Sequence, residues 1–300
     1  MDDGVSRAVL ITGCSSGIGR ATAERLATRG WTVYATARNV DAIRDLEAAG
    51  CTLLPLDVTS EPSMRDAVGA VESVRGAVGV LVNNAGFGLQ GAAEEADLDE
   101  VRRQFETNVF GLARLTQLAL PGMRRQGWGK IVNVSSMGGR ITFPGGAFYH
   151  ATKHAVEAFS DVLRFEVRPF GIDVAIIEPG IVRTRFDETA LDTIPGPGPD
   201  DAPPGPYDDF NASLAATVHR AYRGRMSRFS VGPERVARTI ERAISAKRSR
   251  TRYVIPAAVR GMLVVRAMLP GRGWDAVVRT NYRPPSPGPP RSEASGSGPA

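Results

Sequence analysis

Tyr149 and Lys153 form the pair in this sequence best suited to proton chemistry. Positions i and i+4 share one face of a helix. An ammonium held near a phenol stabilises the phenolate and lowers its pKa from about 10, making the tyrosine a usable proton donor or acceptor near neutrality. The surrounding residues predict a helix over 147–165. Phe148, Ala151, Ala155, Ala158 and Phe159 supply apolar content, and no proline intervenes before Pro169. A pair at this spacing often arises by chance and, standing alone, reads as a solvated face. Here a hydroxyl accompanies it. Ser135 and Ser136 follow an apolar run at 131–134, at the end of a strand where open α/β folds bind ligands. Side chains alternate along a strand, so continued strand geometry turns Ser135 away and leaves Ser136 to polarise a substrate oxygen. His150 and His154 are turned roughly 100° off the Tyr149–Lys153 face, and His219 is isolated. These histidines form no ligand constellation, and no metal is expected.

A second constellation lies near the N-terminus. The run at 8–11 leads into Thr12-Gly13-Cys14-Ser15-Ser16-Gly17-Ile18-Gly19, and a helical pattern over 19–29 follows. Glycines at a strand-to-helix turn allow a tight bend and let backbone N–H groups approach a pyrophosphate, which the helix N-terminus also favours. Cys14 reads as a small turn residue. After the next apolar run, at 32–36, stands Arg38, where an acidic residue would otherwise hold the ribose 2′-hydroxyl of NAD. An arginine there can fork onto a 2′-phosphate, so the expected cofactor is NADP, with NAD as the alternative.

The elements that position these groups follow from patterning. Short runs rich in Val, Ile and Leu recur at 8–11, 32–36, 52–54, 80–82, 131–134, 174–177 and 253–255. They do not alternate with polar residues, as befits strands buried on both faces. Helical patterns such as 19–29 and 98–120 separate them. The expectation is a doubly wound parallel sheet of Rossmann type, a three-layer α/β/α single domain over 1–283. A proline-rich insertion near 187–230, densest over 192–209, reads as a substrate lid, and 284–300 as a disordered tail.

With 42% hydrophobic and 23% charged residues the composition is that of a globular protein. The net charge of +5 suits an anionic cofactor or an acidic surface, and no dense basic block with interleaved aromatics points to nucleic acid. Two cysteines without metal-like spacing, an acidic start and no long apolar stretch suggest a cytoplasmic protein. The apolar segment over 254–269, containing Arg260 and Arg266, reads as a stripe buried against the domain, with an element at a lipid surface as the lesser reading.

The G-x-x-x-G-x-G turn, Asn83-Asn84-Ala85-Gly86, the Ser136, Tyr149 and Lys153 set and Pro179-Gly180 together resemble the short-chain dehydrogenase/reductase family, in order and spacing, over 7–186. The resemblance implies that Thr12, Gly13, Ser15, Ser16, Gly17, Ile18 and Gly19 cradle the cofactor. It implies that Asp57 and Val58 lie at the adenine, and that Asn83, Asn84, Ala85 and Gly86 form the floor beneath it. Family spacing also favours Ser136 as the catalytic serine. Asn108 matches the position of a proton-relay asparagine, and Pro179, Gly180, Val182 and Thr184 the loop at the nicotinamide carboxamide. Taken singly, Asp57-Val58 reads as a capping turn, Asn108 as a helix asparagine bonding a kinked backbone, and Pro-Gly as a turn. The glycine turn and the stretch from Val33 to Arg38 look like the retinol- and 17β-hydroxysteroid-dehydrogenase-like branch. That branch implies a bulky apolar alcohol or carbonyl substrate and a homo-oligomer, dimer or tetramer. Rival readings are a catalytically silent NADP-binding sensor or scaffold, and a sugar-nucleotide epimerase-like enzyme.

Overall fold

The computed structural model describes residues 4–184, 186–196, 205–223 and 230–285. Seven strands carry the fold: β1 (Val9–Ile11), β2 (Val33–Ala37), β3 (Thr52–Pro55), β4 (Val80–Asn83), β5 (Gly129–Val134), β6 (Ile172–Pro179) and β7 (Arg252–Ile255). They pair in parallel in the order β3-β2-β1-β4-β5-β6-β7. The order reverses beside β1, so the ends of β1 and β4 open a crevice, the usual ligand position in such sheets. The helices are α1 (Gly17–Thr28), α2 (Glu61–Arg75), α3 (Leu98–Phe105), α4 (Leu112–Arg125), α5 (Ala147–Val167), α6 (Phe186–Asp192), α7 (Asp208–Arg223), α8 (Pro233–Ser245), α9 (Ala258–Met268) and α10 (Gly271–Arg279).

Strand periodicity explains the layers. Val9 and Ile11 join Val33, Ala35, Val80 and Val82 on one face, under Ala23 and Leu26 of α1 and Val236, Ile240 and Ile244 of α8. Leu10, Tyr34, Leu81, Ile131 and Val174 point the other way, under Val68 and Val71 of α2, Leu115 and Met123 of α4, and Leu163 of α5. Each such side chain, fully buried, contributes roughly 1.5–3 kcal/mol against exposure.

The helical pattern at 98–120 is continuous in the structure but not α-helical throughout. A π-helical turn, Glu106–Gly111, separates α3 from α4. The proline-rich stretch lies between α6 and α7, and residues 197–204 within it, like the tail from 286 on, fall outside the described residues. Helix α7 packs in a small cluster of its own, with Phe210 and Leu214 against Ala92, Ile194, Tyr207, Val218 and Tyr282. The expectation that the apolar stripe of 254–269 is buried needs correction. Only Val259 of α9 is buried, while Val264, Val265 and Met268 are exposed, because the helix meets the domain along one narrow edge.

Candidate active site

The glycine turn is built by backbone crowding. Gly13 and Gly17 have φ of 72° and 58°, the left-handed region that glycine enters without steric cost. A Cβ on Gly19 would lie 2.3 Å from the Gly13 carbonyl oxygen and 2.5 Å from Asn84 Nδ2, so neither atom leaves room for one. Thr12 ties this turn to the end of β4, its Oγ1 accepting from the backbone N–H groups of Asn84 and Ala85, both at 2.9 Å. Asn84 returns the contact by donating Nδ2 to the carbonyls of Thr12 and Gly13. Asn83 points into the sheet instead, donating to Thr116 and Asn133. Ser15 is exposed, and Ser16, the N-terminal cap of α1, makes no side-chain capping bond. The cradle therefore presents open backbone at a helix N-terminus and fits a dinucleotide pyrophosphate.

The cradle has two flanks. Arg38 is exposed at the end of β2 and pairs with no carboxylate among the described residues. Asp57, at the end of β3, accepts through Oδ1 from the N–H and Oγ1 of Thr59, an Asx turn that leads into the Ser60 cap of α2. Val58 is buried beneath it, its carbonyl oxygen 2.3 Å from where a Gly111 Cβ would stand. Opposite, Thr184 reaches over the turn: its Cγ2 lies 3.1 Å from the position of a Gly17 Cβ. Gly180 donates to the Ile255 carbonyl at 2.6 Å, and Val182 forms an isolated parallel bridge with Val231. These contacts hold the loop after Pro179 against the cradle.

The proton-transferring groups gather at the ends of β4 and β5. Tyr149 stands near the Ser136 hydroxyl, which works against the rise of its pKa. Ser136 Oγ also accepts from Gly138 N–H at 3.0 Å, which orients it. Ser135 is buried with its Oγ unpartnered. Lys153 donates Nζ to the Val134 carbonyl at 2.9 Å and lies 5.9 Å from the Tyr149 ring centre. Asn108, within the π-helical turn, accepts from Phe87 N–H and donates Nδ2 to the Phe87 carbonyl and Thr152 Oγ1. A Cβ on Gly86 would meet Asn108 Oδ1 at 2.9 Å and Lys153 Nζ at 3.7 Å, so this glycine brings the asparagine and the lysine side by side.

The electrostatics correct one expectation. Burial pushes the Tyr149 phenol up to about 12, and the Ser136 hydroxyl lowers it only in part. Lys153 does not hold it down, because its ammonium turns to the Val134 carbonyl. Burial also lowers Lys153 to about 8, against the charge of Glu157, which raises it. Cys14 is buried and its thiol is pushed up to about 12, which suits a packed turn residue and not a nucleophile.

Two aromatic neighbours complete the surroundings of Tyr149. Phe186, at the start of α6, sets its ring 5.5 Å from that of Tyr149 and closes over Gly88, where a Cβ would lie 2.8 Å from Phe186 Cζ. His150 is not the bystander its helical angle suggested. It is buried, with Nδ1 3.1 Å from the Gly138 carbonyl and its ring 5.6 Å from Tyr149. Burial lowers it to about 4, so a neutral imidazole braces the Ser136 loop. The rings of Phe143 and Trp274 continue this wall, 5.9 Å from His150 and 6.1 Å from Phe143 respectively.

The short chain dehydrogenase profile matches residues 7–194. Over 276 residues the chain is 35% identical to the uncharacterized oxidoreductase YbbO of Escherichia coli K12, covering 92% of this chain and 95% of that protein. It is 42% identical over 184 residues to a 3-ketodihydrosphingosine reductase of Bacteroides thetaiotaomicron, covering 60% and 65% of the two chains. Human retinol dehydrogenase 8 shares 37% over 209 residues, 65% and 66% of the two chains. Among solved structures, a short-chain dehydrogenase from Streptomyces avermitilis superposes with a TM-score of 0.73 at 36% identity, covering 92% and 98%. An enzyme from Burkholderia phymatum in complex with NAD gives 0.74 at 25% identity, covering 96% and 99%. A glycine cradle at the β1–β4 crevice, a serine–tyrosine–lysine group beside it and these likenesses lead to one assignment: the chain belongs to the short-chain dehydrogenase/reductase family of oxidoreductases.

Proposed function

We propose that the chain interconverts a bulky apolar carbonyl compound and its alcohol, with NADP(H) preferred over NAD(H). The observation that carries this reading is the convergence of Ser136, Tyr149 and Lys153 beside the cradle, with Lys153 Nζ 5.9 Å from the Tyr149 ring centre. A bound nicotinamide supplies or accepts the hydride. In the reducing direction Ser136 donates its hydroxyl hydrogen to the substrate oxygen and polarises the carbonyl. Tyr149 gives its phenolic proton to that oxygen. Lys153 assists by holding the ribose. Asn108 fixes Phe87 and Thr152 around the lysine and completes the relay. A phenol held near 12 keeps its proton until the substrate oxygen gains charge, which favours the donor role.

Arg38 supports the choice of NADP(H). An unpaired guanidinium at the end of β2 suits a 2′-phosphate, and no acid stands there to repel one. Asp57 and Val58 take the adenine end, and Pro179, Gly180, Val182 and Thr184 the carboxamide end. Phe186, Phe143 and His150 support an apolar substrate, as do the names of the sphingoid and retinol relatives. The described part of the insertion, 186–196 and 205–223, acts as a lid, because Gln90 N–H and Gly91 on the loop after β4 meet Thr193 and Pro195 within it. Exposed Phe110, Val162 and Phe165 offer a homo-oligomer face on the π-helical turn and the α5 helix beside it.

The test is NADPH consumption against a panel of aliphatic, steroid, retinoid and long-chain carbonyls, with matched NADH controls. NADPH-dependent turnover of the apolar members is expected. Tight NADPH binding without turnover of any carbonyl would favour the silent sensor and sink the enzyme reading.

A further inference from the structure

We propose that the outer face of α9 docks on an anionic phospholipid surface, so that the substrate mouth opens toward the bilayer. The idea rests on the apolar-substrate reading for its purpose, but not for its observations. Of the eleven large hydrophobic side chains exposed among the described residues, five lie between Met262 and Val277. At about 100° per residue, Gly261, Val264, Val265 and Met268 fall within one arc, opposite the buried Val259. That arc carries no charge. Met268 is 78% exposed and Val264 52%, values that packing among the described residues leaves unexplained.

The charges around the arc identify the partner. From Pro256 to Pro285 the chain has five arginines, Arg260, Arg266, Arg272, Arg279 and Arg283, against a single acid, Asp275. Arg260, Arg272 and Arg279 are exposed, and Arg266 stacks over the Trp274 indole at 5.6 Å. An apolar face rimmed by arginine matches acyl chains beneath anionic headgroups. A second copy of this chain fits less well, because an isologous contact would bring two arginine rims together with only Asp275 of each copy to offset them. The eleven residues of α9 span roughly 16 Å, about half a hydrocarbon core, and no helix among the described residues is long and apolar enough to cross a membrane. The helix therefore lies in the interface plane.

The position is also suitable. Val259 packs on Gly180, in the loop after β6. Trp274 donates Nε1–H to the Thr142 carbonyl at 3.4 Å, and its ring begins the wall that runs through Phe143 and His150 to Tyr149. An apolar carbonyl leaving the lipid beside α9 meets that wall first.

Co-sedimentation of the full chain with vesicles tests this, using phosphatidylcholine alone and phosphatidylcholine containing phosphatidylglycerol. The chain should pellet with the anionic vesicles, stay in solution with the neutral ones and be released by salt. The double variant Val264→Glu/Met268→Glu should partition at least about tenfold less while still reducing a water-soluble carbonyl. If that variant does not fold, Arg260→Glu/Arg272→Glu should show the same loss. Full recovery of the unmodified chain beside anionic vesicles overturns the proposal, as does unchanged pelleting of a folded variant. A fall in sedimenting mass on introducing Val264→Glu/Met268→Glu would assign the face to a second copy. Turnover is read separately on the soluble carbonyl, so failure of the reductase reading is distinguishable from failure of lipid docking.

Discussion

Around Gly19 the chain is positioned by backbone atoms, whereas around Leu214 it is positioned by side chains. In the cradle a carbonyl oxygen and an asparagine amide fill the space where a Cβ would stand, so the shape tolerates almost no variation. In the C-terminal cap, α7 rests on its own small apolar cluster, joined to the loop after β4 by polar contacts such as Asn211 with Glu95. The cradle meets a part of the cofactor common to every reaction of its class. On the proposed function, the cap meets the part of the substrate that varies. A backbone-built site is hard to alter without loss, and a side-chain-built cap can change its occupant while the sheet stays as it is.

This contrast can be broken or sharpened by four measurements. The largest effect is expected from Tyr149→Phe, which removes the phenolic proton and nothing of the cradle. Turnover should fall at least about 10²-fold with cofactor affinity unchanged. Near-normal turnover would remove Tyr149 from the mechanism. Next comes Arg38→Asp, which alters a side chain at the rim of the backbone-built site. A charge-assisted hydrogen bond is worth about 1.5–3 kcal/mol, so NADP(H) should bind roughly 10- to 100-fold more weakly and NAD(H) equally or better. Equal weakening of both cofactors would assign Arg38 to the fold.

Phe186→Ala tests the cap. Part of a phenylalanine's burial is lost, so KM for an apolar carbonyl should rise several-fold, up to about tenfold, with the Kd for NADPH unmoved. A matching rise in both constants would erase the distinction between cradle and cap. The smallest effect concerns pH. Lys153, lowered to about 8, is cationic below that value, so kcat/KM for carbonyl reduction should fall as the pH rises through it. The Glu157 charge raises Lys153, so Glu157→Gln should move that falling limb to lower pH. A limb that moves upward or stays in place would detach it from Lys153.

What the sequence reveals divides along the same line. Glycine spacing is legible because the turn forces it: Gly13 and Gly17 take positive φ, and a Cβ on Gly19 would strike the Gly13 carbonyl. Runs of valine and isoleucine are legible because a doubly buried strand needs them. The roles of Phe186 and His150 are not, because Phe186 meets Gly88, far away in sequence, and His150 meets Gly138 only through the fold of the intervening loop. Helical rotation placed His150 off the catalytic face correctly, yet the loop after β5 folds round to meet it. The Tyr149 environment was misjudged for a related reason. The i, i+4 spacing brings Lys153 near, but only the fold shows its ammonium turned to Val134. The exposure of α9 was hidden because an apolar stripe looks alike whether it meets a core or a membrane.

The π-helical turn at Glu106–Gly111 imposes a bookkeeping of rotation on everything that follows it. One extra residue in a turn advances the chain by about 100° relative to a regular helix. Before the turn, Val101 and Gln104 face inward; within it, Asn108 faces Phe87; after it, Leu115, Ala119 and Met123 face the sheet. Deleting one residue here would turn everything on one side of the gap by about 100° relative to the other side. Removing any one residue from 106–111 would therefore force a choice. Either α4 keeps its apolar face on the sheet and Asn108 swings away from Phe87, or Asn108 stays and Met123 turns toward water. A single-residue deletion there is therefore expected to cost either the packing of α4 on the sheet or the setting of Asn108 beside Lys153.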